Sequence, residues 1–194
     1  MPDQRDVAVL VGSLREGSWN RKAAEAVATL APSHLQFRFV DIAVSLYNQD
    51  LDTDKPPADW QRLRDEIAPA DAVLFATPEY NRSIPGVLKN AIDIASRPYL
   101  NGVLIGKPAA VMSVSIGQIG GFGANHHLRQ VAAYLDMPML QQPELYLGPA
   151  AKLFSESGEV MQDGTRELLT KFAHAFSDWI ELTCGRGKKS ERGR

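Results

Sequence analysis

The chain has 194 residues and a formal net charge of −2, with 44% hydrophobic and 23% charged residues. This size suits one domain with one large core, and neither the charge nor any apolar run indicates nucleic acid or a membrane as partner. The single cysteine, Cys184, excludes an internal disulfide and a cluster held by several thiolates, and it fits a reducing cytoplasm.

Strand-like and helix-like segments alternate along the chain. A short apolar strand over residues 6–11 precedes a polar loop and then a run of strong helix formers over 21–30. Further strands are predicted over 35–40, 72–76 and 109–114, with a fifth at 139–140 or 145–147, and further helices over 59–68, 87–96, 125–136 and 165–183.

Five strands that alternate with five helices predict a parallel sheet covered by helices on both faces. Because crossover connections are right-handed, the loops that follow the strands meet at one edge of the sheet, where doubly wound folds bind ligands. We expect a single domain over residues 1–184 and a basic, disordered tail over 185–194.

The first of these loops, residues 12–20, carries the residue types of an anion site. Ser13, Ser18 and Asn20 are short polar donors, and Arg15 is a permanent forked cation. They precede a helix whose first N–H groups lack partners, so the loop predicts a phosphate site. The loop lacks the spacing of the common nucleotide motifs, and an ordinary connection with Ser18 or Asn20 as N-cap stays open.

The second loop follows the third strand over residues 77–86. Its prolines stiffen the backbone, which can present N–H and C=O groups to the edge of a flat heterocycle while Tyr80 covers one face. The alternative leaves Tyr80 as a surface aromatic residue and Asn81 as a turn residue. Glu79 has no partner in the sequence that would make it a general base.

The third loop, residues 115–121, is rich in glycine, which lets backbone approach a ligand closely. A strained turn into the next helix is the alternative for this segment. The three loops together predict a flat aromatic ligand that carries a phosphate.

These segments resemble the NAD(P)H-dependent FMN reductases, in particular the branch that reduces quinones and chromate. The resemblance rests on residues 12–20, 77–81, 85–93, 120–121 and 127–130, and it covers most of the chain. It implies an α/β, flavodoxin-like fold in which a five-stranded parallel sheet, in the order 2-1-3-4-5, has helices on both faces.

The resemblance also implies a site for non-covalently bound FMN. The residues it assigns are Ser13, Arg15, Ser18 and Asn20 for the phosphate, Pro78, Glu79, Tyr80 and Asn81 along the isoalloxazine, mostly through backbone groups, and Ser115 close to the flavin. No metal and no catalytic side chain are implied, because FMN carries the chemistry.

Some positions depart from the pattern of the relatives. Glu144 lies where related proteins build a polar network between subunits, but Gly123 and His126 stand where relatives carry arginine and tyrosine. Arg82 replaces an uncharged residue, and it either contacts a phosphate of the pyridine nucleotide or faces solvent.

The function implied is hydride transfer from NADPH or NADH to FMN, followed by reduction of a quinone, free flavin, chromate or a similar acceptor. The resemblance implies a homodimer or homotetramer, and the composition predicts a cytoplasmic protein that binds neither nucleic acid nor a membrane. A flavodoxin-type electron carrier is the main alternative, although a net charge of −2 is small for an acidic docking surface. A phosphate-binding module without redox activity is a third.

Overall fold

The computed structural model describes the backbone of residues 3–190 and the side chains of residues 3–184. The strands are β1 (Arg5–Val11), β2 (Leu35–Val40), β3 (Ala72–Thr77), β4 (Ala109–Val114) and β5 (Leu145–Leu147). The helices are α1 (Trp19–Leu30), α2 (Ala58–Ile67), α3 (Gly86–Ala95), α4 (Phe122–Tyr134), α5 (Ala150–Leu153) and α6 (Asp163–Ser190), and a 3-10 turn covers Gln49–Leu51.

The strands form one parallel sheet in the order β2-β1-β3-β4-β5. This order is that of the flavodoxin-like doubly wound fold, so the predicted fold and strand order are confirmed. The sheet edge at the carboxyl ends of β1, β3 and β4 is the edge from which the three loops emerge.

Two apolar cores lie on opposite faces of the sheet, since successive side chains of a strand point in opposite directions. In β1, Val7 and Val9 belong to the core that includes residues of α1 and α6, whereas Ala8 and Leu10 belong to the core under α2, α3 and α4. All of the side chains of β3 and β4 are buried, which accounts for their continuous apolar runs.

The structure selects one of the two places predicted for the fifth strand, and it differs from the prediction at α4 and α5. The fifth strand is at Leu145–Leu147, whereas Met139 makes only an isolated bridge to Ala109. Helix α4 begins at Phe122, before the predicted start at residue 125. The short α5 was not predicted.

The last helix, α6, extends to Ser190, beyond the predicted end of the domain at residue 184. Its backbone over 185–190 is therefore helical rather than irregular, and residues 191–194 of the predicted tail lie outside the described residues. The division into one domain and a tail stays a prediction. In the described part of the chain, no helix combines the length and the apolar character that a membrane crossing requires.

Candidate functional site

The three loops singled out in the sequence lie against one another. A Cβ atom built on Gly12 would lie 3.3 Å from both Pro78 Cδ and Thr77 Oγ1, so the first loop touches the start of the second. A Cβ atom on Gly121, at the end of the third loop, would lie 3.8 Å from the Cβ atom of Glu79. The fold thus brings together the segments that were predicted to bind one ligand.

The first loop presents a run of free backbone donors. Within the described residues, the N–H groups of residues 13–17 donate no hydrogen bond, and the guanidinium of the exposed Arg15 forms no ion pair. The half-buried Ser13 and this run precede the N-terminus of α1, where the helix dipole favours an anion. This donor set matches a phosphate group.

Ser18 is the N-cap of α1. Its hydroxyl oxygen accepts a hydrogen bond from the Arg21 N–H at 3.3 Å, and its own N–H donates to the Arg15 carbonyl at 3.1 Å. The alternative role considered for Ser18 is therefore present in the structure. It leaves the hydroxyl hydrogen available to donate to a ligand.

Asn20 braces α1 against the end of β4. Its Nδ2 donates to the Val114 carbonyl at 3.3 Å, and its Oδ1 accepts from the Val114 N–H at 3.2 Å. The residue is only 4% exposed. The side chain predicted to hold a phosphate is therefore already engaged with β4, and its phosphate role stays a prediction.

The second loop contains a two-residue hairpin turn. Tyr80 and Ser83 exchange backbone hydrogen bonds of 3.1 and 3.0 Å, and Asn81 and Arg82 between them have φ angles of 52° and 63°. Two consecutive positive φ angles define a type I′ turn, which asparagine adopts readily and arginine does not. The turn leaves Tyr80 49% exposed.

The carboxylate of Glu79 caps α4 and also reaches Arg82 of its own loop. Its Oε2 accepts hydrogen bonds from the N–H groups of Gly123 at 2.6 Å and Ala124 at 3.2 Å, and its Oε1 lies 3.3 Å from Arg82 Nη1. The N-cap residue of α4, Gly121, has no side chain to do this. This capping role of Glu79 was not predicted, although a helix start without a capping side chain indicates that another segment supplies the hydrogen-bond acceptor.

The third loop is packed against β5. The N–H of Ser115 donates to the Leu147 carbonyl at 2.9 Å, and its Oγ accepts from the Gly117 N–H at 3.1 Å. Gly120 has a φ of 65°, and a Cβ atom there would lie 2.7 Å from the backbone carbon of Tyr146. Only glycine fits this close approach, which is to β5 and fits the alternative of a strained turn, whereas the predicted close approach to a ligand stays a prediction.

Exposed apolar side chains come from all three loops. Leu14 is 60% exposed, Tyr80 49%, Ile116 77% and Ile119 57%. Apolar groups gathered on one exposed edge are typical of a surface that binds a ligand or a partner. The edge therefore combines phosphate donors with apolar surface.

The two adjacent histidines have different partners. His126 Nε2 lies 3.0 Å from Tyr146 Oη, whereas His127 Nδ1 lies 3.0 Å from Ser83 Oγ. Burial, followed by a hydrogen bond to Glu144, raises the pKa of Tyr146 to about 12. No group of three or more His, Cys, Asp or Glu residues within the described part of the chain is placed to hold a metal ion.

A cavity of about 780 Å³ lies between α3 and α4. It shares Ser83 and His127 with the hairpin region, and Tyr99 and Tyr134 stand on its rim. Arg97 also lines it, and the buried Nε of this residue has no hydrogen-bond partner.

Comparisons with known proteins identify the family. The family model for NADPH-dependent FMN reductases matches residues 5–152. The chain belongs to the NADPH-dependent FMN reductase family.

Relatives with related activities match over almost the whole chain. A quinone reductase of Pseudomonas putida is 56% identical over 177 residues, which are 91% of this chain and 95% of the relative. A 2-hydroxy-1,4-benzoquinone reductase of Burkholderia is 46% identical over 90% of this chain and 95% of its own length. The solved structure of FerB, a flavoenzyme NAD(P)H:(acceptor) oxidoreductase from Paracoccus denitrificans, has a TM-score of 0.86 at 42% identity and covers 92% of this chain and 98% of its own.

The protein is therefore an FMN-dependent oxidoreductase that uses NAD(P)H, as the sequence predicted. The run of free N–H groups with Arg15 fits the phosphate of FMN, and the open apolar edge fits a flat ring. The electron-carrier alternative loses its support, because the family and these relatives are reductases.

Proposed function

We propose that the physiological acceptor is a quinone, which is reduced at the carboxyl edge of the sheet. The observation that carries this proposal is the open apolar edge of the site, where Tyr80 and Ile116 are both strongly exposed. A flat, weakly polar acceptor can lie on such a surface, and the relatives from Pseudomonas and Burkholderia are reductases of quinones.

In this proposal the first loop binds the FMN phosphate. Arg15 and the backbone N–H groups of residues 13–17 donate to the phosphate oxygens, with Ser13 and Ser18 supplying hydroxyl donors. Asn20 contributes by fixing α1 relative to β4, since its amide already bonds to Val114.

The second and third loops hold the ring system. Pro78, Glu79, Tyr80 and Asn81 line it through their backbone groups, and Ser115 approaches it from the third loop. When bound, FMN would supply the two-electron redox chemistry between NAD(P)H and the acceptor. The protein's part is to hold donor and acceptor in reacting geometry, which requires no nucleophile and no acid–base pair for the hydride step.

The same proposal includes a homo-oligomer that is built on the face between α3 and α4. Tyr99, Leu100 and Tyr134 are 62%, 74% and 75% exposed there. Arg97 and Asp136 line the same cavity, and neither forms an ion pair within the described residues. A twofold axis that placed Arg97 of one subunit beside Asp136 of the other would satisfy both charges in a self-complementary interface.

Sedimentation velocity tests the assembly. Tyr134→Glu would put a carboxylate into the interface and is expected to give monomers. Leu182→Glu is the matched control, because Leu182 is also exposed, at 49%, but lies on α6. If Tyr134→Glu leaves the mass unchanged, the α3–α4 face is not the interface. The cytoplasmic location also stays part of the proposal, supported by the single cysteine.

Steady-state kinetics with the FMN-loaded protein test the acceptor. We expect NADPH oxidation to depend on the concentration of a benzoquinone, with kcat/KM for the quinone well above that for free FMN or chromate. An equal or higher kcat/KM for free FMN would contradict the proposed acceptor without contradicting the FMN site.

A further inference from the structure

We propose that Glu79 is a positioning residue for the reductase reaction, because its carboxylate fixes the Tyr80–Ser83 hairpin against the N-terminus of α4. This inference rests on the proposed FMN site, in which the backbone of the hairpin loop lines the ring. It assigns to the Glu79 side chain a task other than contact with the ligand.

The Glu79 carboxylate bonds to two segments of the chain, α4 and the hairpin turn. The carboxylate accepts hydrogen bonds from the N–H groups of Gly123 and Ala124, which both lie in the first turn of α4. The side chain of Glu79 is only 12% exposed. Its other oxygen pairs with Arg82, inside the hairpin. One carboxylate therefore connects the second loop, the hairpin turn and the helix that follows the third loop.

The second support is the space made for this contact. A Cβ atom on Gly123 would lie 2.9 Å from Glu79 Oε2 and 3.0 Å from the Arg82 carbonyl oxygen. Any side chain at this position would push either the carboxylate or the hairpin away from α4. The absence of a side chain at Gly123 therefore makes room for the carboxylate.

The third support is a second tether at the other end of the hairpin. Ser83 Oγ lies 3.0 Å from Nδ1 of His127, which is one helical turn after Gly123. Between the two tethers, Asn81 and Arg82 have positive φ angles. A strained turn persists only where its surroundings hold it, and here the two contacts with α4 do so.

The consequence is that the second and third loops move as one unit. A misplacement of about 1 Å at a reacting centre can cost on the order of 100-fold in rate. Loss of the Glu79 tether lets the hairpin shift relative to the ring while the fold and the phosphate loop stay intact. The effect should therefore appear in kcat more than in FMN affinity.

The test compares Glu79→Gln with Asp59→Asn. Asp59 is the matched control, since its carboxylate also accepts a backbone N–H at 2.6 Å, from Ser45, but it lies in α2 away from the three loops. We expect Glu79→Gln to lower kcat about 10- to 100-fold with the KM for NADPH changed less than about threefold, and Asp59→Asn to leave both unchanged. The visible circular dichroism of bound FMN should change only in Glu79→Gln.

A second variant covers the case in which Glu79→Gln does not fold. Gly123→Ala keeps the carboxylate but places a methyl group against it, and it is expected to give the same loss of kcat. If a variant that folds has the kcat and the flavin circular dichroism of the wild-type protein, Glu79 is not a positioning residue. Failure of the wild-type protein to bind FMN would instead overturn the proposed site and, with it, this inference.

Discussion

Replacing Asn20 by alanine tests the brace between α1 and β4. The substitution removes the two hydrogen bonds, of 3.3 and 3.2 Å, that the Asn20 side chain makes with the C=O and N–H of Val114, a residue that is only 1% exposed. Each buried group that loses its partner costs about 1–3 kcal/mol, and the length of these bonds favours the lower end. We therefore expect the free energy of unfolding to fall by about 2–4 kcal/mol.

Urea denaturation of the FMN-free protein measures this loss directly, and a domain of this size should also lose about 4–16 °C in Tm. Asn20→Asp should be at least as damaging, because one carboxylate oxygen would face the Val114 carbonyl. Asn101→Ala is the control, since Asn101 is exposed and its side chain makes no hydrogen bond within the described residues; it should change stability by less than about 0.5 kcal/mol.

One outcome would contradict the role of Asn20 as a brace between α1 and β4. If Asn20→Ala unfolds at the same urea concentration as the wild-type protein but binds FMN much more weakly, the amide is a phosphate ligand. The role of a brace would then be wrong.

Three further predictions follow from single residues. Arg15→Ala removes a charge-assisted phosphate contact of about 1.5–3 kcal/mol, so the Kd for FMN should rise about 10- to 150-fold when it is measured by flavin fluorescence. An unchanged Kd would contradict the assignment of Arg15 to the phosphate. The hydrogen bond from the Ser45 N–H lowers the pKa of Asp59 below its usual 3.8, so the stability that this carboxylate adds is present above pH 3.8 and is lost as the pH falls through the lowered pKa. The difference in urea midpoint between the wild-type protein and Asp59→Asn should therefore vanish in strong acid. A difference that stays constant with pH would contradict this prediction. Cys184→Ser should keep wild-type turnover, and a large loss with the fold intact would revive a thiol mechanism.

The sequence was sufficient to predict the sheet because its strands are buried on both faces. Segments such as Ala72–Thr77 have no polar face, and that pattern is typical of a parallel sheet between helices. The start of α4 was placed late because the sequence before it contains no local capping residue. Its cap comes from Glu79, which is 44 residues away along the chain, so no local rule could predict it.

The meeting of the three loops was predictable for a similar reason, whereas the contacts of their side chains were not. Loops at the carboxyl ends of neighbouring parallel strands must meet, so their composition indicates a shared ligand. The partner of Asn20 is 94 residues away, and a short polar residue before a helix is equally consistent with a phosphate ligand, an N-cap and a brace. Only the tertiary structure distinguishes these roles.

We propose that this chain passes electrons from NAD(P)H to a quinone through FMN bound at the three loops. Anaerobic double-mixing stopped-flow tests it most directly, with the FMN-loaded protein mixed first with NADPH or NADH and then with a benzoquinone. We predict rapid bleaching of the visible flavin band in the first mix and its rapid return in the second. Firmly bound FMN that neither nucleotide bleaches would contradict the claim.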